Sequence, residues 1–308
     1  MRISVIILTL NASRYIGVLL ESLKAQTRVP DEIIVIDSSS DDDTLEIASA
    51  YHVKTFKIPR NIFDHGGTRN HAMNISSGDI VIFMTQDITP YNESLIENLI
   101  RPLDNPLLAA SFGRQVPRGD AKPTEKFSRL FNYPDTSVVK SMDSLKKKGI
   151  RTFFFSNVCS AIKKKEFREV GGFPEKAILN EDMILAARLI MKGYKVAYEP
   201  SAMVYHSHNP SLLKQFKRYF EIGISLSRER WITELVKAEG KGYEYLKEEI
   251  RFLLKEKQTH WIPYACIEAA LRYTGFRMGL AEKKLPKSLK KRMSTHKYFW
   301  DQNNAIRL

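Results

Sequence analysis

The segment EIIVIDSSSDDDT, Glu32–Thr44, decides the fold. Ile33–Ile36 is an unbroken apolar run, rich in β-branched residues, and acids bound it at Glu32 and Asp37. A run of that length with no polar alternation predicts a strand buried on both faces. Serines and aspartates follow without interruption from Ser38 to Asp43, which predicts a turn. DDDTLEIASAY then reads as a helix with acids in its first turn, where carboxylates favour the positive end of the dipole. Strand, polar turn and helix make one unit of an α/β sheet. Taken alone, DSSSDDDT is equally well a helix cap with a charged first turn.

The unit repeats on both sides. Upstream, ISVIILT (Ile3–Thr9) is a buried strand, and SRYIGVLLESLKAQ places Tyr15, Leu19 and Leu23 at helical spacing, with Ser13 able to cap. Downstream, VKTFKI predicts a third strand, NIFDHGGTRNHAMN (Asn61–Asn74) opens a helix, and DIVIFM (Asp79–Met84) predicts a fourth strand. Strands alternating with helices imply an α/β fold with a mostly parallel sheet covered on both faces. RQVPRGDAKPTEKFSRLFNYPD reads as a long loop, TFFFSNVCSAI as a strand, VGGFPE as a turn, NEDMILAARLIMKG as a helix and YKVAYEP as a strand. From Pro210 the pattern becomes helical, with Leu212, Phe216, Tyr219, Gly223 and Leu226 on one face and further helices near 243–256 and 261–280. The expected division is residues 1–210 as an α/β unit and 211–308 as a C-terminal helical extension.

Composition narrows the function. The chain has 308 residues, 43% of them hydrophobic, enough for one large core or a domain with an appendage. A formal charge of +13 favours an anionic partner: nucleic acid, a phosphorylated small molecule or an acidic membrane face. The basic residues are spread out, with no aromatic–basic motif or zinc-finger spacing, so a nucleic-acid-binding module is the weaker reading. Cys159 and Cys266 form neither a disulfide framework nor a metal spacing, which suits a reducing, cytoplasmic compartment. The N-terminal apolar run is too short for a signal sequence. WIPYACIEAALRYTGFRMGL is interrupted by Glu268, Arg272 and Arg277, so no transmembrane helix is expected. Its aromatics and the lysine-rich tail EKKLPKSLKKRMSTHK suit either a solvated surface or a peripheral contact with the anionic inner face of a membrane. The long C-terminal helices also suit a homodimer interface.

Ligands of open α/β sheets bind beyond the carboxyl ends of the strands. Thr9 and Asn11 follow the first strand, Asp37 and Ser39 the second, the glycine-containing stretch the third, and Gln86 and Asp87 the fourth. This shared polar rim fits an activated sugar. An aspartate at a strand end can accept the N–H of a uridine or thymidine base. Arg69 and the Gly66–Gly67 amides can meet a diphosphate, and Asp87 can help hold Mg²⁺ or Mn²⁺. His65 reads either as a contact to donor sugar or acceptor, or as a hydrogen-bonded loop residue. Glu181 and Asp182 open a helix, as dipole-favouring acids or as a general base. His206 and His208, two residues apart at a strand end, suit two ligands on one face, or one ligand and a bystander.

In order, SVIILTLN, EIIVIDSSSDDDT, RN with SSGDIVIFMTQD, VGGF and NEDM resemble family 2 glycosyltransferases of the GT-A fold over residues 1–210. FDHGGTRNHA, TQD, YHSHN and HKYFW look like the bacterial rhamnosyltransferase subgroup. The resemblance implies a transferase that moves a sugar, L-rhamnose from dTDP-rhamnose or else a sugar from a UDP donor, onto a saccharide acceptor, lipid-linked oligosaccharides included. It implies Thr9, Asn11 and Asp37 around the nucleoside with Ser39 nearby, and Arg69 close to base or phosphates. It places Gln86 and Asp87 in the Asp-x-Asp region and makes Asp182 the catalytic base, supported by Glu181. His206 would reach metal or diphosphate, and Arg218 a phosphate. The Asp-x-Asp region reads Thr-Gln-Asp here, which leaves Asp87 as its one carboxylate. A divalent metal is still expected. A sugar nucleotidylyltransferase, the other enzyme reading, carries its Gly-Thr-Arg element after the first strand rather than the third.

Overall fold

The computed structural model describes residues 1–236 and 241–301; the ends of the expected helical extension, 302–308, and residues 237–240 lie outside them. The strands are β1 (Ile3–Thr9), β2 (Glu32–Asp37), β3 (Lys54–Lys57), β4 (Ile80–Thr85), β5 (Thr89–Pro90), β6 (Leu108–Val116), β7 (Val138–Lys140), β8 (Cys159–Lys163) and β9 (Lys195–Tyr205). The helices are α1 (Ser13–Lys24), α2 (Thr44–Ala50), α3 (His65–Ile75), α4 (Leu95–Ile100), α5 (Pro123–Asn132), α6 (Leu145–Lys148) and α7 (Lys164–Glu169). They continue with α8 (Glu181–Met191), α9 (Leu212–Arg228), α10 (Arg230–Leu235), α11 (Lys241–Lys255), α12 (Ile262–Leu280) and α13 (Lys287–Met293).

One sheet runs β3-β2-β1-β4-β8-β6-β9-β5, with β7 also on β9. The first four strands are mutually parallel, because a helical segment crosses back between each. β8 is antiparallel to β4 and β6, and β6 is parallel to β9. Side chains of β1 alternate between two cores. Ile6 joins Ile34, Val81 and Phe83 beneath α3 and α8, whereas Val5 and Ile7 join Val35 and Ile82 beneath α1 and α4. Leu226 of α9, Ile232 of α10 and Val236 belong to the first of these cores, which ties the C-terminal helices to the sheet. No helix among the described residues is long and apolar enough to cross a membrane. Both cysteines are free, Cys159 buried and Cys266 exposed.

Local expectations hold less well in three places. Ser13 does not cap α1; instead the Ala12 and Ser13 amides donate to Thr44 Oγ1 and Asp42, at 2.7 and 3.1 Å, so the turn after β2 caps the neighbouring helix. The expected loop from Arg114 contains α5, whose Phe127 packs on Phe131, Tyr245 and Phe252. TFFFSNVCSAI becomes a strand only at Cys159, because Ser156 and Asn157 turn their side chains toward the rim. β6, LAASFGRQV, has no β-branched apolar run to mark it, and four of its nine positions are small residues. They allow close approach: a Cβ at Gly113 would sit 2.4 Å from the Ala202 carbonyl oxygen.

α9 and α12 cross backbone to backbone. A Cβ at Gly279 would fall 2.1 Å from Phe220 O, and one at Gly275 2.4 Å from Phe216 O. Gly279→Ala should therefore lower stability by about 1–3 kcal/mol, the range for overpacking. Gly242→Ala, on α11 with open space around it, should be neutral or stabilising by up to about 1 kcal/mol. Urea midpoints of the two variants decide this, and equal midpoints would mean that the helices do not cross this closely.

Candidate functional site

Register brings the polar strand ends together. Thr9 lies beside Asp37, and Leu8 beside Thr85. Asp37 is fully buried; it accepts from Thr9 Oγ1 at 2.9 Å, from the Ser40 amide at 2.8 Å and from the Ser40 hydroxyl. Ser39 donates to Ile58 O at 2.8 Å, and Asn11 Oδ1 accepts from the Asp41 amide at 3.0 Å. The Gln86 carboxamide closes two bonds with the Leu10 backbone, at 2.8 and 3.1 Å. Asn11 and Ser39 both adopt left-handed backbone, φ +50° and +60°, as the turns around this rim demand. Thr9, Asn11, Asp37, Ser39 and Gln86 thus share one rim, and the bonds named here hold that rim's shape.

α3 opens differently from the expected anion cradle. Asp64 caps it, accepting from the Gly67 amide at 2.6 Å, so a carboxylate already occupies the helix N-terminus and would repel a phosphate there. Burial raises the Asp64 pKa, although the Gly67 and Lys176 amides pull the other way. Gly66 answers to packing: a Cβ would sit 1.9 Å from the Pro174 carbonyl oxygen. His65 and Arg69 line a cavity of about 230 Å³ together with Leu8, Met84, Thr85, Gln86 and Asp87. Two buried polar atoms of these lining residues, Thr85 Oγ1 and Arg69 Nε, have no hydrogen-bond partner among the described residues.

Arg69 is 7% exposed and pairs with Glu181, Nη1 to Oε1 at 3.1 Å, while also donating to His65 O at 3.0 Å. Glu181 and Asp182 open α8 after Asn180, which is left-handed at φ +65°. Asn157, which carries no motif signal, braces both acids: its side chain donates to Glu181 and its amide to Asp182, each at 3.3 Å. The Met183 amide donates to Asp182 at 2.8 Å. Burial works to raise the Glu181 pKa, but the Arg69 charge outweighs it and the net shift is downward. For Asp182, burial and then the Glu181 charge raise the pKa above the ordinary aspartate value. The environments therefore divide the pair into a fixed anion and a proton acceptor.

The third group is Asp87, His206 and His208, whose ligand atoms all lie within 4.8 Å of one another. Asp87 Oδ2 is 3.5 Å from His206 Nε2 and 3.1 Å from His208 Nε2. His206 Nδ1 lies 2.9 Å from Gln115 Oε1. The orientation of that amide is decided by its neighbours: Arg129, which can only donate, meets Oε1, while Nε2 donates to Tyr133 and Ser156. Nδ1 of His206 therefore carries the proton, and Nε2 turns a lone pair toward Asp87. Burial lowers the His206 pKa, which favours the neutral ring with that lone pair. One carboxylate and two imidazoles so prepared fit a divalent cation. His208, read from sequence as ligand or bystander, belongs to this group; Gln115 and Tyr133 gave no sequence signal.

Arg118 reaches the same corner, donating to Asp87 O at 2.6 Å. Arg218 is exposed on α9, close enough to lower the Tyr133 pKa, although burial dominates there and raises it. His296, from the C-terminal tail, lies beside His65 with Nε2 atoms 3.4 Å apart.

Residues 4–171 match the model of glycosyl transferase family 2, and residues 113–280 that of glycosyl transferase family group 2. The chain is 41% identical to the O-antigen chain rhamnosyltransferase RfbN of Salmonella typhimurium, over 98% of this chain and 96% of that one. It is 39% identical to the O-antigen chain rhamnosyltransferase WbaN of Salmonella anatum, over 91% and 89%. Among solved structures it is similar to the mannosyltransferase PcManGT of Pyrobaculum calidifontis in complex with GDP-Man and Mn²⁺, with TM-score 0.57, 17% identity and coverage of 97% and 85%. It is similar also to S. aureus TarS 1–349 in complex with UDP, with TM-score 0.54, 17% identity and coverage of 92% and 91%. These structural likenesses establish the GT-A fold.

Mn²⁺ titration read by electron paramagnetic resonance should give weaker binding in Asp87→Ala, by about 100-fold or more, and about 10–100-fold weaker in Gln115→Leu, which removes only the brace on His206. Unchanged affinity in Asp87→Ala would place the ion elsewhere.

Proposed function

The chain belongs to glycosyl transferase family 2, and on that premise we propose that it transfers L-rhamnose from dTDP-rhamnose to a hydroxyl of a saccharide acceptor, with inversion. The observation that carries this reading is the joining of the two functional groups through consecutive residues. Ser156 bonds Gln115, which orients His206, and Asn157 braces Glu181 and Asp182. A proton acceptor and a cation site are thereby held at a fixed separation, as a single displacement requires. The near full-length likeness to two rhamnosyltransferases supports the sugar.

Asp182 takes the proton of the acceptor hydroxyl, and that oxygen attacks the anomeric carbon. The bond from that carbon to the diphosphate oxygen breaks, and the nucleoside diphosphate leaves with the electron pair. From a β-linked donor the product is an α-rhamnoside. A divalent ion on Asp87, His206 and His208, Mn²⁺ or Mg²⁺, would supply positive charge to the diphosphate. Arg118 and Arg218 add cationic side chains, and the rim of Thr9, Asn11, Asp37, Ser39 and Gln86 shapes the nucleoside side. Arg69, committed to Glu181, acts on the donor through its free Nε and by fixing the acid pair. His65 turns its ring nitrogens to Arg69 and His296, so only its carbon edge is left to face sugar or acceptor.

Residues 1–210 serve as the catalytic unit and 211–308 as its helical extension. Exposed Tyr243, Leu254, Ile267 and Tyr273 on α11 and α12, with lysines nearby, suit a peripheral contact with an anionic leaflet, where a lipid-linked acceptor is found. The protein should float with vesicles containing anionic lipid and not with neutral ones; sedimentation away from both refutes the contact.

Diphosphate release should be fastest with dTDP-rhamnose among a panel including UDP-glucose, UDP-N-acetylglucosamine and GDP-mannose. Asp182→Asn should lower turnover by about 10²–10⁴-fold. Because the base works only when deprotonated, turnover should fall as pH drops through its raised pKa, above the ordinary aspartate range. A response to UDP-sugars alone would discard the rhamnosyl assignment, and a product of retained configuration would discard the mechanism.

A further inference from the structure

We infer that the C-terminal segment completes the active site, with His296 as a positioning residue that fixes the tautomer of His65 and, through Arg69, the setting of Glu181 beside Asp182. Hydrogen-bond direction fixes the tautomer. Arg69 Nη1 lies 3.4 Å from His65 Nδ1, and arginine can only donate, so that nitrogen is the acceptor. In a neutral imidazole the other nitrogen then carries the proton. Burial keeps His65 neutral, lowering its pKa to about 4. His65 Nε2 therefore donates to His296 Nε2, 3.4 Å away. His296 Nδ1 keeps its proton toward Glu221 Oε1 at 3.2 Å, an electrostatic contact outside hydrogen-bond geometry. A donor-only residue at one end and a carboxylate at the other polarise the whole row.

Glu221 is an unusual investment for a surface tail. It is 1% exposed, and its Oε1 accepts from the Ser294 hydroxyl and from the Thr295 and His296 amides, at 2.6 and 2.9 Å for the amides. A buried charge satisfied in this way holds residues 294–296 in one place. Anchoring of the tail is separate. Phe299 and Trp300 pack with Ile178, Phe220 and Ile224, and Arg228 covers the Phe299 ring at 4.8 Å. His296 is left half-exposed beside a cavity-lining residue, where an apolar strap would have no need of an imidazole.

The transfer readout rests on the proposed function; the tautomer readout does not. Histidine ¹⁵N shifts of the full chain should show His65 protonated on Nε2 and His296 on Nδ1, with the His65 tautomer redistributing in His296→Ala. That variant should lose turnover about 10–100-fold, in the range for partners that orient a reacting group, with donor affinity and melting temperature kept. His296→Gln, whose carboxamide oxygen can accept from His65, should recover most of it. Phe299→Ala should lower the melting temperature instead. A His65 proton on Nδ1, an unchanged tautomer in His296→Ala, or equal turnover losses in the Ala and Gln variants would overturn the inference. A wild type inert to dTDP-rhamnose would reject the proposed donor and leave the tautomer result to decide this one.

Discussion

The buried ion pair between Arg69 and Glu181 is the contact on which the site depends. It joins α3, which follows the third strand, to α8, which lies more than a hundred residues later in the chain. Both side chains are nearly sealed from solvent, so neither can lose the other cheaply. Removing one partner of such a pair costs about 3–5 kcal/mol, a large part of the net stability of a typical domain. The pair also sets the chemistry. Arg69 keeps Glu181 ionised, and that fixed negative charge, added to burial, lifts Asp182 toward the role of a base.

A second set of constraints radiates from Gln115. Its oxygen faces Arg129 and His206, and its nitrogen Tyr133 and Ser156, so one amide orients an imidazole and links it to the turn that carries Asn157. Thr85 stands where the Asp-x-Asp pattern has its first carboxylate. Gln86 pins the end of β1, and the cation site draws His206 and His208 from the end of β9. Two imidazoles from one strand end thus face the single carboxylate of another.

Much of the fold was legible because its signals are local. Apolar β-branched runs such as Ile33–Ile36 have no alternative to a buried strand, and the turn residues after them repeat at each strand end. Helix α8 was legible from NEDM and the apolar residues behind it. β6 and α5 were not, since one has no β-branched apolar run and the other lies in a stretch rich in proline, glycine and charge whose helix is stabilised by packing on α11. The Gly66–Gly67 signal was legible as a helix start but not in its reason. Gly66 admits the Pro174 backbone, a contact between segments that no local pattern encodes.

By itself the sequence determined the alternation of strands and helices from β1 to β4, the polar rim at the strand ends and the acid pair at a helix start, since each follows from neighbours within a few residues. Only the tertiary structure decided which polar groups are spent on one another and which remain for a ligand. Asp37 and Gln86 are bound within the rim, Arg69 faces Glu181, His208 joins His206 on Asp87, and His296 returns from the far end of the chain to meet His65. Hydrogen-bond satisfaction is settled by spatial proximity across long sequence separations, and burial, which sets the protonation of Asp182 and His65, exists only once the chain has packed.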